Sequence, residues 1–558
     1  MTGADLLLST LEELGVEVIF GFPGGSALPI YDALYRNKKI KHIRTVHEQG
    51  AAHAADGYAR ATGKVGVALS TSGPGATNLV TGIATAYMDS VPVVAFTGQV
   101  SLPLLGRDSF QEVDITGVTL PITKHSFIIR EKEKIVKKVK EAFIIASTGR
   151  PGPVVVDLPK DVMSSEVDPG CVDREINGFI SSFQKKYQTT SDIEEKIDKA
   201  VRMMEEAERP VIYAGGGVVA SQAWKEVLEL SEKISAPVAV TLMGLGSFPY
   251  EHPHFLGMLG MHGTAYANYA VSKCDLLIAL GARFDDRVIG KGSEFAKNAK
   301  IIHIDIDQAE LGKNKNADLP IKGDLKEVMK KLLNRVSKRY LKDWLQEIEV
   351  LKSKYPLKYK NEGLKPQYII EKIWEITKGD ALIATEVGQH QMWAAQYYKF
   401  KEPRSLITSG GLGTMGFGLP AAIGAKIGRP DKIVFNIAGD GSFEMNCHEL
   451  ITAARYNIPI VVVIFNNGSL GMVRQWQELF YNKRYSHSIL SEEPDYVKIA
   501  LGCGCNAIRI KEKDEVEKAI LEAIDSGRPT VIEAMIDKEE NVMPMVPAGE
   551  PIYNMLGV

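Results

Sequence analysis

The stretch Ala438-Gly439-Asp440-Gly441-Ser442-Phe443, running on to Phe465-Asn466-Asn467-Gly468-Ser469 and closing at Val473, decides how this chain folds. Before it, Lys432-Ile433-Val434-Phe435-Asn436-Ile437 is a short apolar run of the kind that forms a buried strand. Within it, His448 to Arg455 reads as a helix and Ile458-Pro459-Ile460-Val461-Val462-Val463-Ile464-Phe465 as a second strand. Asp440 therefore ends one strand and Asn467 the next, on the carboxyl edge where open α/β sheets bind ligands. A carboxylate and a carboxamide there offer hard oxygen ligands, which suit a small octahedral cation such as Mg²⁺ that completes its shell with phosphate. Glycines around Asp440 let the backbone approach a diphosphate closely. The Asp-Gly turn alone reads more simply as an ordinary βαβ connection with an Asn cap. Asn466-Asn467 at the end of the next strand tips the reading towards a ligand site.

Composition sets the frame. At 558 residues the chain predicts three to four domains, at ~150 residues each. It is 45% hydrophobic, with net charge −3 and 24% charged residues, so neither nucleic acid nor an anionic membrane is indicated as a partner. Five cysteines (Cys171, Cys274, Cys447, Cys503 and Cys505) make no disulfide framework. Cys503-Gly504-Cys505 lacks a second pair and reads as small residues packed beside a strand. No apolar run reaches the roughly 18 residues of a membrane helix. Thr2 to Leu14 reads as an amphipathic domain helix rather than a leader, so a soluble cytoplasmic protein is expected.

The fold class expected is α/β, with three doubly wound parallel-sheet domains. In the first, 1–165, apolar runs alternate with helices: Val18-Ile19-Phe20, Ile43 to Val46, Val65 to Leu69, Val91 to Phe96 and Pro153 to Asp157. Residues 166–190 read as a polar linker. The second domain, 190–345, has strands Pro210 to Tyr213, Leu276 to Leu280 and Ile301 to Asp307. Leu351 to Lys365 is a second, Lys-rich linker. The third domain, 366–540, carries the opening stretch. The tail, 541–558, holds Pro544, Pro547 and Pro551 and reads as an ordered arm. There is a faint internal echo: Gly73 to Gly98 and Gly439 to Asn467 share a Gly-rich loop, a helix and an x-x-Pro-x-Val strand start.

Two further groups carry chemical potential. Glu48 follows a strand and opens a helix; its plain reading is a first-turn carboxylate facing the helix dipole. In the second domain, Gly215-Gly216-Gly217 follows a strand, a weak dinucleotide signal that is as readily structural. Arg283 and Asp305 at two other strand ends suggest a guanidinium for pyrophosphate and a carboxylate for ribose hydroxyls.

The Gly-Asp-Gly … Asn-Asn stretch resembles the diphosphate-binding motif of thiamine diphosphate (ThDP) enzymes. That resemblance implies a pyrimidine-binding first domain and a diphosphate-binding third domain. It implies Asp440, Asn467 and the carbonyl of Ser469 as Mg²⁺ ligands. Val387, Gly388, Gln389, His390, Gly413, Gly439, Gly441, Ser442 and Met472 would flank the cofactor, with Met415 supporting its bent shape. Glu48 would hydrogen-bond the aminopyrimidine and promote the tautomer that removes the thiazolium C2 proton, a task that suits a carboxylate in a dry pocket.

Further residues narrow the family. Phe22-Pro23-Gly24-Gly25, His47-Glu48-Gln49-Gly50, Ser109-Phe110-Gln111-Glu112, Leu259 to Gly263, Arg283-Phe284-Asp285-Asp286-Arg287, Gly471 to Trp476 and Met543 to Pro547 are similar to the acetohydroxyacid synthases, along the whole chain. That family implies FAD in the middle domain, near Arg150, Gly215, Gly216, Gly217, Thr241, Leu242, Met261, His262, Gly281, Arg283, Asp285, Arg287, Asp305 and Ile306. It places Gly25, Phe110 and Gln111 in the active site, and Lys160, Arg287 and Trp476 at the substrate channel. It implies pyruvate and 2-oxobutyrate as substrates, a homodimer or dimer of dimers with its active site between chains, and a separate small regulatory subunit. A ThDP- and FAD-dependent pyruvate oxidase is the rival reading. Two positions depart from the family pattern: Ser101, usually proline, and Ser26, often alanine.

Overall fold

A computed structural model describes residues 1–360, 362–490 and 494–558. The first sheet comprises β1 (Val18–Gly21), β2 (Lys41–Arg44), β3 (Gly66–Ser70), β4 (Val93–Gln99), β5 (His125–Ile128) and β6 (Val154–Pro159), in the order β2-β1-β3-β4-β6-β5. The second comprises β7 (Pro210–Ala214), β8 (Val238–Val240), β9 (Phe255–Met258), β10 (Leu276–Leu280), β11 (Lys300–Asp305) and β12 (Leu319–Lys322), in the order β9-β8-β7-β10-β11-β12. The third comprises β13 (Ala381–Thr385), β14 (Leu406–Ile407), β15 (Ile433–Gly439), β16 (Ile460–Asn466), β17 (Asn506–Ile510) and β18 (Thr530–Met535), in the order β14-β13-β15-β16-β18-β17. All pairings between these strands are parallel. Helices cover both faces, which is why the central strands are unbroken apolar runs such as Ile460-Val461-Val462-Val463-Ile464.

The first and third sheets share one strand order, position for position, so the faint sequence echo marks a common topology. The middle sheet has the 3-2-1-4-5-6 order of the doubly wound fold.

The first and third domains meet through two helices rich in small residues, Glu48–Thr62 and Gly418–Gly428. A Cβ on Gly424 would lie 1.8 Å from the Ala54 carbonyl oxygen, and one on Gly57 would lie 2.1 Å from that of Ala421. Glycine at both crossings lets the two backbones touch.

Both linkers are more structured than their composition suggests. Helix Lys342–Lys354 overruns the second one, burying Trp344, Ile348 and Leu351 in the middle-domain core. That helical stripe hides among lysines, so charge masked the periodicity. Within 166–190, helix Asn177–Lys185 packs Phe179 and Phe183 against the first-domain core. The tail holds no helix among the described residues. Among them, too, no helix is long and apolar enough to cross a membrane.

Candidate active site

In the third sheet the chain leaves β13 for one side and β15 for the other, opening a crevice at their carboxyl ends. A cavity lies there, walled by Val387 to His390, Met415, Gly439 to Ser442, Asn467, Ser469 and Met472. Gly413 stands two residues before Met415 in the same loop. Asp440 is buried. Its Oδ2 accepts hydrogen bonds from the backbone N–H of Asn467 and of Ser469, both at 3.2 Å, and its Oδ1 accepts from Gly441 at 2.8 Å. The Ser469 hydroxyl donates to Asn467 Oδ1 at 2.9 Å, and Asn467 Nδ2 donates to Gln389 Oε1 at 3.2 Å. The three residues expected to hold a metal thus form one cluster.

This donor set fits Mg²⁺: one carboxylate, one carboxamide oxygen and one backbone carbonyl, with places left for phosphate and water. Among the described residues no group of three or more His, Cys, Asp or Glu side chains could hold a metal ion, so an ion here depends on such mixed oxygen donors. The cavity fits a diphosphate as well. His390 Nε2 is buried without a protein partner, and burial holds that imidazole's pKa down at about 3, so the ring is neutral.

One residue beside this wall escaped sequence reading. Glu386 follows β13 fully buried, and its carboxylate accepts from Leu419 N–H at 2.9 Å and from the Ser442 hydroxyl at 3.1 Å. Burial raises its pKa. It ties the cavity floor to the segment that follows Met415. The available signal was a carboxylate closing a buried strand immediately before Val387-Gly388.

The first-domain candidates gather on the corresponding edge of the first sheet. Gly25 lies in the loop after β1, Glu48 after β2, Gln111 beyond β4, and Lys160 opens the helix after β6. His47 caps the Glu48–Thr62 helix, its Nδ1 accepting from Gln49 N–H at 3.1 Å. Glu48 is buried, and Asn78 Nδ2 donates to its Oε2 at 3.0 Å. Gln111 has left-handed backbone (φ 59°), while Phe110 beside it is 88% exposed. The Ser26 hydroxyl accepts from Ser72 N–H at 2.8 Å and shares a 2.9 Å bond with Thr71, so this departure from the family pattern stitches two loops together. Ser101 precedes the turn Leu102–Leu104 and caps it with its carbonyl alone. None of these residues lines the third-domain cavity. The first-domain and third-domain candidates therefore lie at the edges of two different sheets.

The middle sheet has its own crevice, between β7 and β10. Gly215-Gly216-Gly217 and Gly281 meet there; a Cβ on Gly215 would lie 2.1 Å from the Gly281 oxygen, so these glycines serve packing first. Thr241 and Leu242 follow β8, Met261 and His262 follow β9, and Asp305 and Ile306 close β11, all on one edge. Thr241 Oγ1 and His262 Nδ1 are buried without partners, as a polar ligand would require. Burial pushes the Asp305 carboxyl up to about 6. Arg150 pairs with Glu310 at 2.7 Å and Asp307 at 3.3 Å. Arg283 donates to the Met88 carbonyl at 2.5 Å. Asp285 caps the short helix Asp286–Ile289, and burial raises its pKa. Arg287 lies 5.7 Å from the Trp476 ring, joining the middle domain to the third. This edge fits a nucleotide with a pyrophosphate.

Comparison with known proteins accords with this geometry. Residues 1–118, 197–332 and 386–534 match the N-terminal TPP binding, central and C-terminal TPP binding domains of thiamine pyrophosphate enzymes. The probable acetolactate synthase large subunit of Methanocaldococcus jannaschii is 50% identical over 573 residues, covering 100% of this chain and 95% of that protein. The acetolactate synthase large subunit of Cyanidium caldarium is 50% identical over 571 residues, covering 100% and 97%. That of Corynebacterium glutamicum is 48% identical over 565 residues, covering 98% and 89%. With three thiamine-enzyme domains in order and such identity along its full length, the chain belongs to the acetolactate synthase large-subunit family.

Proposed function

We propose that this chain is a transferase that decarboxylates pyruvate and joins the two-carbon fragment to a second 2-oxo acid. Pyruvate as acceptor gives 2-acetolactate, and 2-oxobutyrate gives 2-aceto-2-hydroxybutyrate, at the entry to branched-chain amino acid synthesis. The observation that carries the reading is the Asp440–Asn467–Ser469 oxygen cluster at the β13/β15 crevice, beside a buried, unpartnered His390 Nε2.

Thiamine diphosphate, when bound, supplies the electron sink for the carbanion left by loss of CO₂. Asp440, Asn467 and the Ser469 carbonyl would hold Mg²⁺, with Gln389 and His390 facing the diphosphate. Met415 would buttress the ring system. Glu48, oriented by Asn78, would hold a proton against the aminopyrimidine nitrogen. Gln111, Phe110, Gly25 and Lys160 would shape the substrate space, with Arg287 and Trp476 at its entrance.

Glu48 and Asp440 lie at the edges of different sheets, and Glu48 does not line the cavity that holds Asp440, which supports a dimer whose active site lies between chains. The relatives' designation as large subunits supports a separate small regulatory subunit. FAD would lie along the middle-domain edge from Gly215 to Asp305. Its role would be structural, because joining two 2-oxo acids with loss of CO₂ involves no net oxidation.

The test is product analysis with ThDP and Mg²⁺, from pyruvate alone and with 2-oxobutyrate added. Acetolactate and the mixed product are expected. Acetate in their place would overturn the assignment in favour of an oxidase, and unconsumed pyruvate would overturn it outright.

A further inference from the structure

We propose that the segment Thr85–Ser90 is a positioning hub, setting the loop that carries Met415 against the middle domain's nucleotide edge, so that a change at Arg283 is felt at the thiamine site. This rests on the functional reading above. The loop, Ser409-Gly410-Gly411-Leu412-Gly413-Thr414-Met415, has three glycines and little conformational preference of its own. Its shape is imposed from outside, by the end of helix Val80–Met88 in the first domain.

Asp89, whose side chain is wholly buried, accepts from Gly410 N–H at 2.9 Å and Gly411 N–H at 2.7 Å. It pairs with Arg60 at 3.0 Å, a guanidinium it shares with the buried carboxylate of Asp56, and Arg60 also donates to the Thr408 carbonyl at 2.7 Å. One helical turn earlier, the Thr85 and Thr414 hydroxyls bond at 2.7 Å. The neighbours of Asp89 reach the other way. The Met88 carbonyl accepts from Arg283 at 2.5 Å, and the Ser90 hydroxyl accepts from Arg150, which itself grips Glu310 and Asp307. Three consecutive residues thus join three domains: Met88 to the middle one directly, Ser90 to it through Arg150, and Asp89 to the third. Hydrogen bonds run from Arg283 through Met88 and Asp89 to Gly410 and Gly411, so displacing one end strains the bonds at the other.

This gives a redox-neutral enzyme a physical reason to depend on its middle domain. The test is a double-mutant cycle on the full-length protein with Arg283→Ala, Asp89→Ala and both together. It reads ThDP affinity in Mg²⁺, the near-ultraviolet circular dichroism of the bound thiamine, and kcat against KM for pyruvate. Asp89→Ala is expected to weaken ThDP binding about tenfold or more and to lower kcat with little change in KM, since two loop amides lose their acceptor and Arg60 loses one of its two carboxylates. Arg283→Ala is expected to alter the same dichroic signal, and the double variant to be no worse than Asp89→Ala alone. Multiplying effects would overturn the coupling. So would an Asp89→Ala protein that melts earlier but keeps wild-type ThDP affinity and dichroism, or an Arg283→Ala protein with an unchanged thiamine signal. Should Asp89→Ala fail to fold, Thr85→Val replaces it in the cycle with the same expectations. A wild-type protein that binds ThDP but forms no acetolactate would count against the functional reading and leave the coupling measurable.

Discussion

Asn78 Nδ2 donates to Glu48 Oε2 at 3.0 Å, joining the end of a short helix after β3 to the first turn of the helix after β2. The bond orients a buried carboxylate that the first sheet presents at its carboxyl edge. Glu48→Gln should keep the fold and the metal site while cutting acetolactate formation by about two orders of magnitude or more. Asn78→Ala should cost less, about tenfold, because orientation is lost and the carboxylate kept. Turnover at saturating ThDP and Mg²⁺ decides; near wild-type rates for Glu48→Gln would remove the proton-transfer role.

Asp440→Ala should abolish Mg²⁺-dependent ThDP binding, because the ion loses its charged protein ligand. It should also lower stability by about 1–3 kcal/mol, since the Asn467 and Ser469 amides lose their acceptor. Titration of ThDP in Mg²⁺ and a denaturant melt read the two effects separately. Unchanged affinity would place the metal elsewhere.

Gly424→Ala tests the helix crossing that joins the first and third domains. Its new methyl would fall 1.8 Å from the Ala54 carbonyl oxygen, a rigid backbone atom. The helices must part, at a cost of about 1–3 kcal/mol or more. A thermal melt equal to wild type would show that the crossing is not close-packed in solution.

Asp157 links stability to pH. Thr97 and Gln99 donate to its carboxylate at 2.7 and 2.9 Å, yet burial pushes its pKa up to about 7 from an ordinary 3.8. Between those values the folded protein binds more protons than the unfolded one, so this group's contribution is full below 3.8 and fades as pH rises through 7. Asp157→Asn should flatten that fall. Urea unfolding at about pH 5 and about pH 8 measures it, and an unchanged slope would mean the carboxylate is ionised throughout.

The purified protein should be yellow, and reducing its flavin without oxygen should leave most acetolactate formation intact. Arg283→Ala should reduce flavin retention and thermal stability together, since a ligand held by the native state stabilises it. Loss of acetolactate on reduction, with flavin and fold retained, would give the flavin a chemical role.

The local pattern of residues determined the elements and much of the site's inventory. Apolar runs closed by Gly, Asp or Asn marked the strands and placed Asp440, Asn467 and Asp305 at their carboxyl ends, because strand, turn and first helical residue are sequence neighbours. Tertiary structure decided what those ends face. Strand order set which neighbouring ends form a crevice, so Gly215 meets Gly281 and Gln389 meets Asn467. Glu449 accepts from Val46 across 403 residues, and Arg60 and Asp89 hold a loop more than 300 residues away. Periodicity has no sight of such partners, because it records which face of an element is apolar and not what will cover it. Glu386 and Asp89 read as ordinary acids for that reason. Only burial, and the backbone amides converging on each, distinguish them from surface charges.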